Sequence, residues 1–257
     1  MVRFGVIHDS AKLDNIMLRY EDMRLLGNWN PTEDIDWNLQ AKFNDKKRAL
    51  STELALQGSY TEEVGLLVAA RLIEMVDDLP TRYCLGVQAA DEAKHSEVFA
   101  RYSDKWAGRI DNAITPPKKP LTLLNNLIDK SNTLELFTFH TMLEGLALDQ
   151  FSMLVDVFEG DTLGQIYRHV RMDEARHVAM GMDFMKAALR RIDPDEALSL
   201  LKKCRAELFS IAHVDDSVFD AMGEITGYAS SVINQRLSKR VDARFDLLRC
   251  QFKEIEK

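Results

Sequence analysis

The sequence predicts an all-α protein, a four-helix bundle with additional flanking helices. Three observations lead there. Apolar residues recur at helical rather than strand spacing through several long segments. Turn-forming residues are scarce, with 12 Gly and 6 Pro in 257 residues, so the chain has few places to reverse. A charged pentapeptide is also repeated near the middle of two of the longest periodic segments.

In chain order, residues 11–26 and 35–50 read as amphipathic helices joined by GNWNPTEDIDWN (27–38), a turn-rich link with two tryptophans. A long helix is predicted from 52 to about 78, with Pro80 ending it, and a second from about 81 to 106. The stretch AGRIDNAITPPKKP (107–120) reads as a loop joining two halves of one domain. Two more long helices follow, 132–159, closed by Gly160, and 161–192. Asp193-Pro194 then punctuates the chain before two or three C-terminal helices. The core bundle is expected over about 52–192 of a single domain spanning 1–257.

Composition removes several classes of function. A hydrophobic fraction of 46% fills a core without disulfide staples. A net charge of −8 argues against nucleic-acid binding, which needs a basic face. Part of that charge belongs to clustered carboxylates suited to cations. Cys84, Cys204 and Cys250 show no C-x-x-C spacing and read as reduced thiols of a cytoplasmic protein. The N-terminus has no signal-peptide-like apolar run, and no uncharged stretch is long enough to span a membrane.

The repeat is the decisive feature. Asp91-Glu92-Ala93-Lys94-His95 returns 82 positions later as Asp173-Glu174-Ala175-Arg176-His177. Glu at i and His at i+3 share one helix face, so both point at one place. A dinuclear carboxylate site in a bundle needs a further Glu from each of the other two helices. Glu144 lies 30 residues before Glu174, and the same offset before Glu92 reaches Glu62. Glu63 competes, but its face drifts towards Glu74 and Asp77. The face through Glu62 gathers Ala55, Leu66, Ala69, Ile73 and Val76 and selects Glu62 as the inward residue. The expected donors for two metal ions are therefore Glu62, Glu92, His95, Glu144, Glu174 and His177. Four carboxylates offset the charge of two cations, and neutral imidazoles leave positions open to a small molecule.

Asp91 and Asp173 are expected to orient the histidines crosswise, Asp91 on His177 and Asp173 on His95. Lys94 and Arg176 are expected on the bundle exterior. His140, one turn before Glu144, and His169, five residues before Glu174, are further possible site residues, as is Tyr167 as a cavity residue. His8 and His213 have no motif around them. Gly58, Gly65, Gly145 and Gly181 are unusual inside helices and either open space near the metals or permit close helix packing.

These motifs resemble the ferritin-like di-iron carboxylate superfamily, in particular its oxygenase and ribonucleotide-reductase-small-subunit-like branch. The resemblance runs from 62 to 177 through the six donors. D-E-A-R-H is similar to the signature of multicomponent monooxygenase hydroxylases and of p-aminobenzoate N-oxygenase-type enzymes. W-N-P-T-E-D-I-D-W (29–37) resembles a segment ahead of the bundle in the reductase small subunit and the N-oxygenases. Two positions depart. Phe99 stands where the reductase subunit typically carries a radical tyrosine. Val170, beside His169, stands where the N-oxygenases carry an extra histidine ligand.

The resemblance implies an oxygen-activating enzyme of monooxygenase, N-oxygenase or desaturase type. It would use two Fe ions, or a Mn/Fe pair, on a small organic substrate and O2. No flavin, nicotinamide or iron–sulfur motif is visible, so electrons are expected from an external reductase or ferredoxin. A homodimer is expected. Two alternatives stand beside this: a radical-generating subunit in which Trp29, Trp37 or Trp106 conducts the radical, and a ferroxidase or metal-binding protein without an organic substrate.

Overall fold

Long helices form where the chain supplies a cap and then an apolar stripe without a breaker, and the four longest build the bundle. The computed structural model describes residues 14–107, 118–212 and 217–252. Among the described residues there are nine α-helices and no β-strand. They are α1 (Asp14–Leu26), α2 (Asp45–Met75), α3 (Leu79–Ala107), α4 (Lys118–Ile128), α5 (Thr133–Leu154), α6 (Thr162–Leu189), α7 (Pro194–Ala212), α8 (Ser217–Thr226) and α9 (Ser230–Arg249). No helix among these residues is long and apolar enough to cross a membrane.

The expected helices at 35–50 and 52–78 prove to be one. Residues 35–44 are irregular, and α2 runs unbroken for 31 residues, a length of about 46 Å. The start is set by Asn44, whose side chain accepts from the Lys47 N–H at 2.8 Å. α2 ends at Met75, with Val76 extended, so Pro80 is not its terminator. Pro80 is the second residue of α3, where the missing N–H removes no helical hydrogen bond. The loop expected to reach 120 gives way to α4 at Lys118; residues 108–117 lie outside the described set, as do His8 and His213.

α5 begins at the Asn132 cap, whose side chain accepts from the Glu135 N–H at 3.0 Å. It stops at Leu154, five residues earlier than expected, and Gly160 adopts φ +78° before α6. Asp161 caps α6 through the Leu163 N–H at 3.1 Å. The same fully buried carboxylate receives the Tyr102 hydroxyl at 2.9 Å and the Arg48 guanidinium at 3.0 Å. One acid thereby ties the start of α6 to α2 and α3.

α2 packs along α3 and α5 along α6, and the pairs meet through α2 with α5 and α3 with α6. α1 lies on α3 and α6, α4 on α2, and α7 and α9 on α5. Two apolar clusters fill the interior. One holds Leu72, Leu85, Phe137 and Met185; the other holds Leu54, Phe99, Phe151 and Tyr167. Along each of the four helices the chain passes from one cluster to the other, and the acidic residues lie in between. The fold therefore places its charged groups at mid-bundle, walled by hydrocarbon on both sides.

Candidate metal centre

Glu62 on α2, Glu92 and His95 on α3, Glu144 on α5, and Glu174 and His177 on α6 converge at mid-bundle, and all six are buried. Glu63, the rejected neighbour, is exposed. The donors form two groups of four whose ligand atoms lie within 4.8 Å of one another: Glu62, Glu92, His95 and Glu174, then Glu92, Glu144, Glu174 and His177. Glu92 and Glu174 belong to both groups, so each can bridge two ions.

Both histidines turn Nδ1 inward. His95 Nδ1 is 3.3 Å from Glu62 Oε2 and 3.2 Å from Glu174 Oε1. His177 Nδ1 is 3.3 Å from Glu92 Oε1 and from Glu174 Oε2. Their outer nitrogens meet the crossed acids: His95 Nε2 donates to Asp173 Oδ2 at 2.9 Å and His177 Nε2 donates to Asp91 Oδ2 at 3.2 Å. An imidazole whose Nε2–H is held this way presents the Nδ1 lone pair to a cation.

The acids are themselves braced. Trp29 Nε1 donates to Asp173 Oδ2 at 2.6 Å. Lys94, rather than facing outward, donates to Asp91 Oδ1 and to the Gly27 carbonyl, each at 2.8 Å, and sits over the Trp29 ring. Arg176 likewise turns inward and pairs with Asp173. These cations face the site because the acids they neutralise are buried; an unpaired carboxylate there is costly.

The electrostatics fit a cationic occupant. Taken as protein groups alone, Glu62 is raised to about 8 by burial, and Glu174 is raised by burial and by the charges of Glu144 and Glu92. Burial would lower both histidines, but the surrounding carboxylates hold them well above the usual range. Burial would raise Glu92, but hydrogen bonds from His177 and His95 bring it well below. Glu62, Glu174 and the two histidines thus favour protons that two cations would replace. Glu174 Oε1 is the clearest mark: a buried oxygen with no hydrogen-bond partner.

The remaining expected residues separate. Tyr167 lines a cavity beside the donors. His140 lies 3.1 Å from Glu144 through Nδ1 and lines the same cavity, but belongs to neither donor group. His169 also stands outside both groups; half-buried, it stacks on Trp29 at 4.9 Å between ring centroids. Its position five residues before Glu174 rotates it off the inward face. Four features escaped the sequence reading: the Trp29 contact, the inward Lys94 and Arg176, Gln88, whose amide reaches Glu92 Oε1 at 3.4 Å, and the α4 and α8 residues that wall the cavity. Only Gln88 left a local signal, one turn before Glu92 on the same face.

The four glycines also divide. A Cβ at Gly65 would come within 3.0 Å of the Glu92 carboxylate, and one at Gly58 within 3.2 Å of the Phe99 ring. Gly145 and Gly181 instead make room for Arg244 and Thr141. Close approach holds at all four, while Gly58 and Gly65 also line the cavity beside the donors and so serve both expected roles.

The arrangement defines a class: a ferritin-like helical bundle whose interior carries a carboxylate and histidine cluster able to bind two metal ions. No protein-family model matches the chain, and no curated protein matches its sequence. Solved structures do. A mutant of R2-like ligand-binding oxidase with anaerobically reconstituted Mn/Fe cofactor superposes with a TM-score of 0.68 at 20% identity, covering 92% of this chain and 92% of its own. A second mutant, with aerobically reconstituted Mn/Fe cofactor, gives a TM-score of 0.67 at 20% identity over 96% of this chain and 99% of its own.

Proposed function

We propose that the protein is an oxygen-activating oxidase acting on an apolar organic substrate. Glu62, Glu92, His95, Glu144, Glu174 and His177 would hold two ions, Fe/Fe or Mn/Fe. The observation that carries this reading is the meeting of the donor cluster with an apolar cavity of about 170 Å³, in whose wall Glu62, Glu92 and Glu144 are set. The R2-like ligand-binding oxidases, which share the fold and carry a Mn/Fe cofactor, support it.

The cavity follows α2 from Leu54 to Val68 and α5 from His140 to Leu154. At 1.5 Å per residue each edge runs about 21 Å, so the space favours an elongated molecule lying across the donors. Leu127, Leu143, Phe151 and Phe219 supply hydrocarbon contact and exclude water. When bound, the metal pair supplies the redox chemistry and the site for dioxygen. The residues orient donors, hold the charge and place the substrate beside it. Asp91 and Asp173 keep the Nε2 protons of the two histidines fixed while Nδ1 faces the ions. Electrons for turnover come from an external donor, a reductase or a ferredoxin.

Metal analysis of the purified protein, followed by O2 consumption by the reduced form with and without apolar substrates, tests the proposal. Two ions per chain and an oxidised organic product are expected. O2 uptake that no organic compound alters would reduce the protein to a ferroxidase.

A second reading is favoured by one specific observation. Trp29, Asp173 and His95 form a continuous hydrogen-bonded line from the donor cluster to a half-buried indole. Such a line suits one-electron transfer in a radical-generating subunit. Here Phe99 occupies the expected tyrosine position and is fully buried among Phe151 and Tyr167. A long-lived radical after O2 addition, quenched in Trp29→Phe, would move the assignment to this reading.

A further inference from the structure

We propose that the cavity takes a chain molecule with an uncharged, hydrogen-bonding head group, the head lying between the amides of Gln57 and Gln150 and the hydrocarbon tail running past the metal donors. The inference rests on reading the cavity as the substrate site, and it narrows the substrate class to neutral amphiphiles: a chain ending in a primary amide or an alcohol.

The cavity lining is sorted along its length. α2 and α5 run antiparallel through it: Leu54 of α2 and Phe151 of α5 share one apolar cluster, and Val68 of α2 and Phe137 of α5 share the other. Residues before Glu62 and residues after Glu144 therefore lie at the same end. Gln57, Thr61 and Gln150 fall there, joined by Tyr167 from α6. At the other end the wall is Val68, Leu123, Leu127 and Leu143. His140 is the polar exception at that end, and its Nε2 is buried.

Gln57 precedes Glu62 by five residues and Gln150 follows Glu144 by six. Along their helices they stand about 7.5 Å and about 9 Å from those donors, so the two amides are nearly level across the seam between α2 and α5. Both residues are half-buried, and neither amide has a hydrogen-bond partner among the described residues. Thr61 beside them is exposed, which makes this end the mouth of the cavity. A glutamine amide both donates and accepts, and two of them on opposite walls match a head that does the same.

Charge decides between head groups. The acids of the lining are the metal donors Glu62, Glu92 and Glu144, and no lysine or arginine stands among the described lining residues. A carboxylate brought from water to this mouth loses solvation and meets no counter-charge there. A neutral amide or hydroxyl loses less and regains its hydrogen bonds from the glutamines. With the head at the mouth, a carbon of the chain, and not the head, lies level with the donors.

Anaerobic calorimetric titration of the full-length, Fe(II)-loaded protein tests this with three probes of equal chain length: octanamide, octanoate and 2-nonanone, in which a methyl group replaces the amide nitrogen. Octanamide is expected to bind about tenfold or more tightly than octanoate. Octanoate binding as tightly as the amide would overturn the uncharged head. The preference for octanamide over 2-nonanone should fall about fivefold in Gln57→Leu and in Gln150→Leu, the scale of one net hydrogen bond. An unchanged preference in either variant would overturn the placement of the head between the glutamines. The comparison of octanamide with octanoate needs no variant, so it decides even where a substitution unfolds the protein. Equal affinity for all three probes removes the head-group proposal and leaves the cavity reading standing. Failure of all three to bind the wild type removes both.

Discussion

His95 on α3 and Asp173 on α6 are joined by a 2.9 Å hydrogen bond between groups that carry no exposed surface. The bond crosses the repeat: each histidine is oriented by the acid of the other motif. Asp173 also receives Trp29 and Arg176, so its carboxylate is fixed from three directions. Asp173→Asn keeps the shape but no longer provides two acceptor oxygens. Metal affinity is expected to fall about 10- to 100-fold, the usual effect of removing an outer partner of a ligand histidine. Competition with a chelator measures it, and unchanged affinity would contradict the orienting role.

Gly65 gives a sharper dissection of stability from metal binding. Replacing an interior helical glycine with alanine ordinarily stabilises a helix by up to about 1 kcal/mol. At this position the new Cβ would come within 3.0 Å of Glu92 Oε2, and the carboxylate must move. Gly65→Ala is therefore expected to hold or raise the melting temperature of the metal-free protein while weakening metal binding. Parallel thermal melts and metal titrations check the two effects separately. A variant that binds both ions normally would show that Glu92 has room to spare.

The metal-free protein should lose stability as the pH rises from about 5 to about 8. Glu62 is raised from 4.5 to about 8 by burial, and Glu174, His95 and His177 are also raised. A group with a raised folded value contributes stability that is complete below its unfolded value and fades as the pH climbs through the folded one. Each proton retained only in the folded state changes stability by about 1.4 kcal/mol per pH unit. Glu92, shifted well down, acts oppositely and only in acid. Urea titrations at pH 5.5, 7 and 8.5 should show the decline, and metal should abolish it, since cations replace the competing protons. A flat profile without metal would mean that the carboxylates are not desolvated as the fold implies.

Tyr102→Phe tests the brace behind the site. The hydroxyl donates to Asp161, accepts from Arg48 at 2.7 Å and lies 3.3 Å from Ser51 Oγ. Its loss leaves a fully buried carboxylate one donor short. A loss of about 1–3 kcal/mol is expected from denaturant unfolding, with metal stoichiometry unchanged, because Tyr102 lies outside both donor groups.

How much of this the sequence carried depends on the range of each interaction. The bundle and the convergence of six donors were legible because helical periodicity and the 82-residue repeat are both properties of one-dimensional spacing. Glu62 was separable from Glu63 because a helix face is local. The unbroken α2 was not legible, since nothing in 35–44 announces irregular chain, and Ile35, Leu39 and Phe43 recur four residues apart like a helical stripe. Trp29 was singled out, but its hydrogen bond to Asp173 spans 144 residues, and no spacing rule reaches that far. Lys94 and Arg176 were misplaced for a related reason. A long cation inside an acidic motif looks like a solvent-facing residue until the burial of its partner is known. The vacant Nε2 of His140 belongs to three-dimensional packing alone.

The sharing of Glu92 and Glu174 between the two donor groups has a consequence for how the site fills. An ion held at either position would fix both shared carboxylates, which are half the donors of the other position. It would also order one histidine, whose supporting acid adjoins one of the two shared glutamates in the chain. The second ion then meets donors already arranged, and its entry is cheaper in ordering entropy than the first. Loading is expected to be cooperative, passing from empty to double occupancy with little singly filled protein.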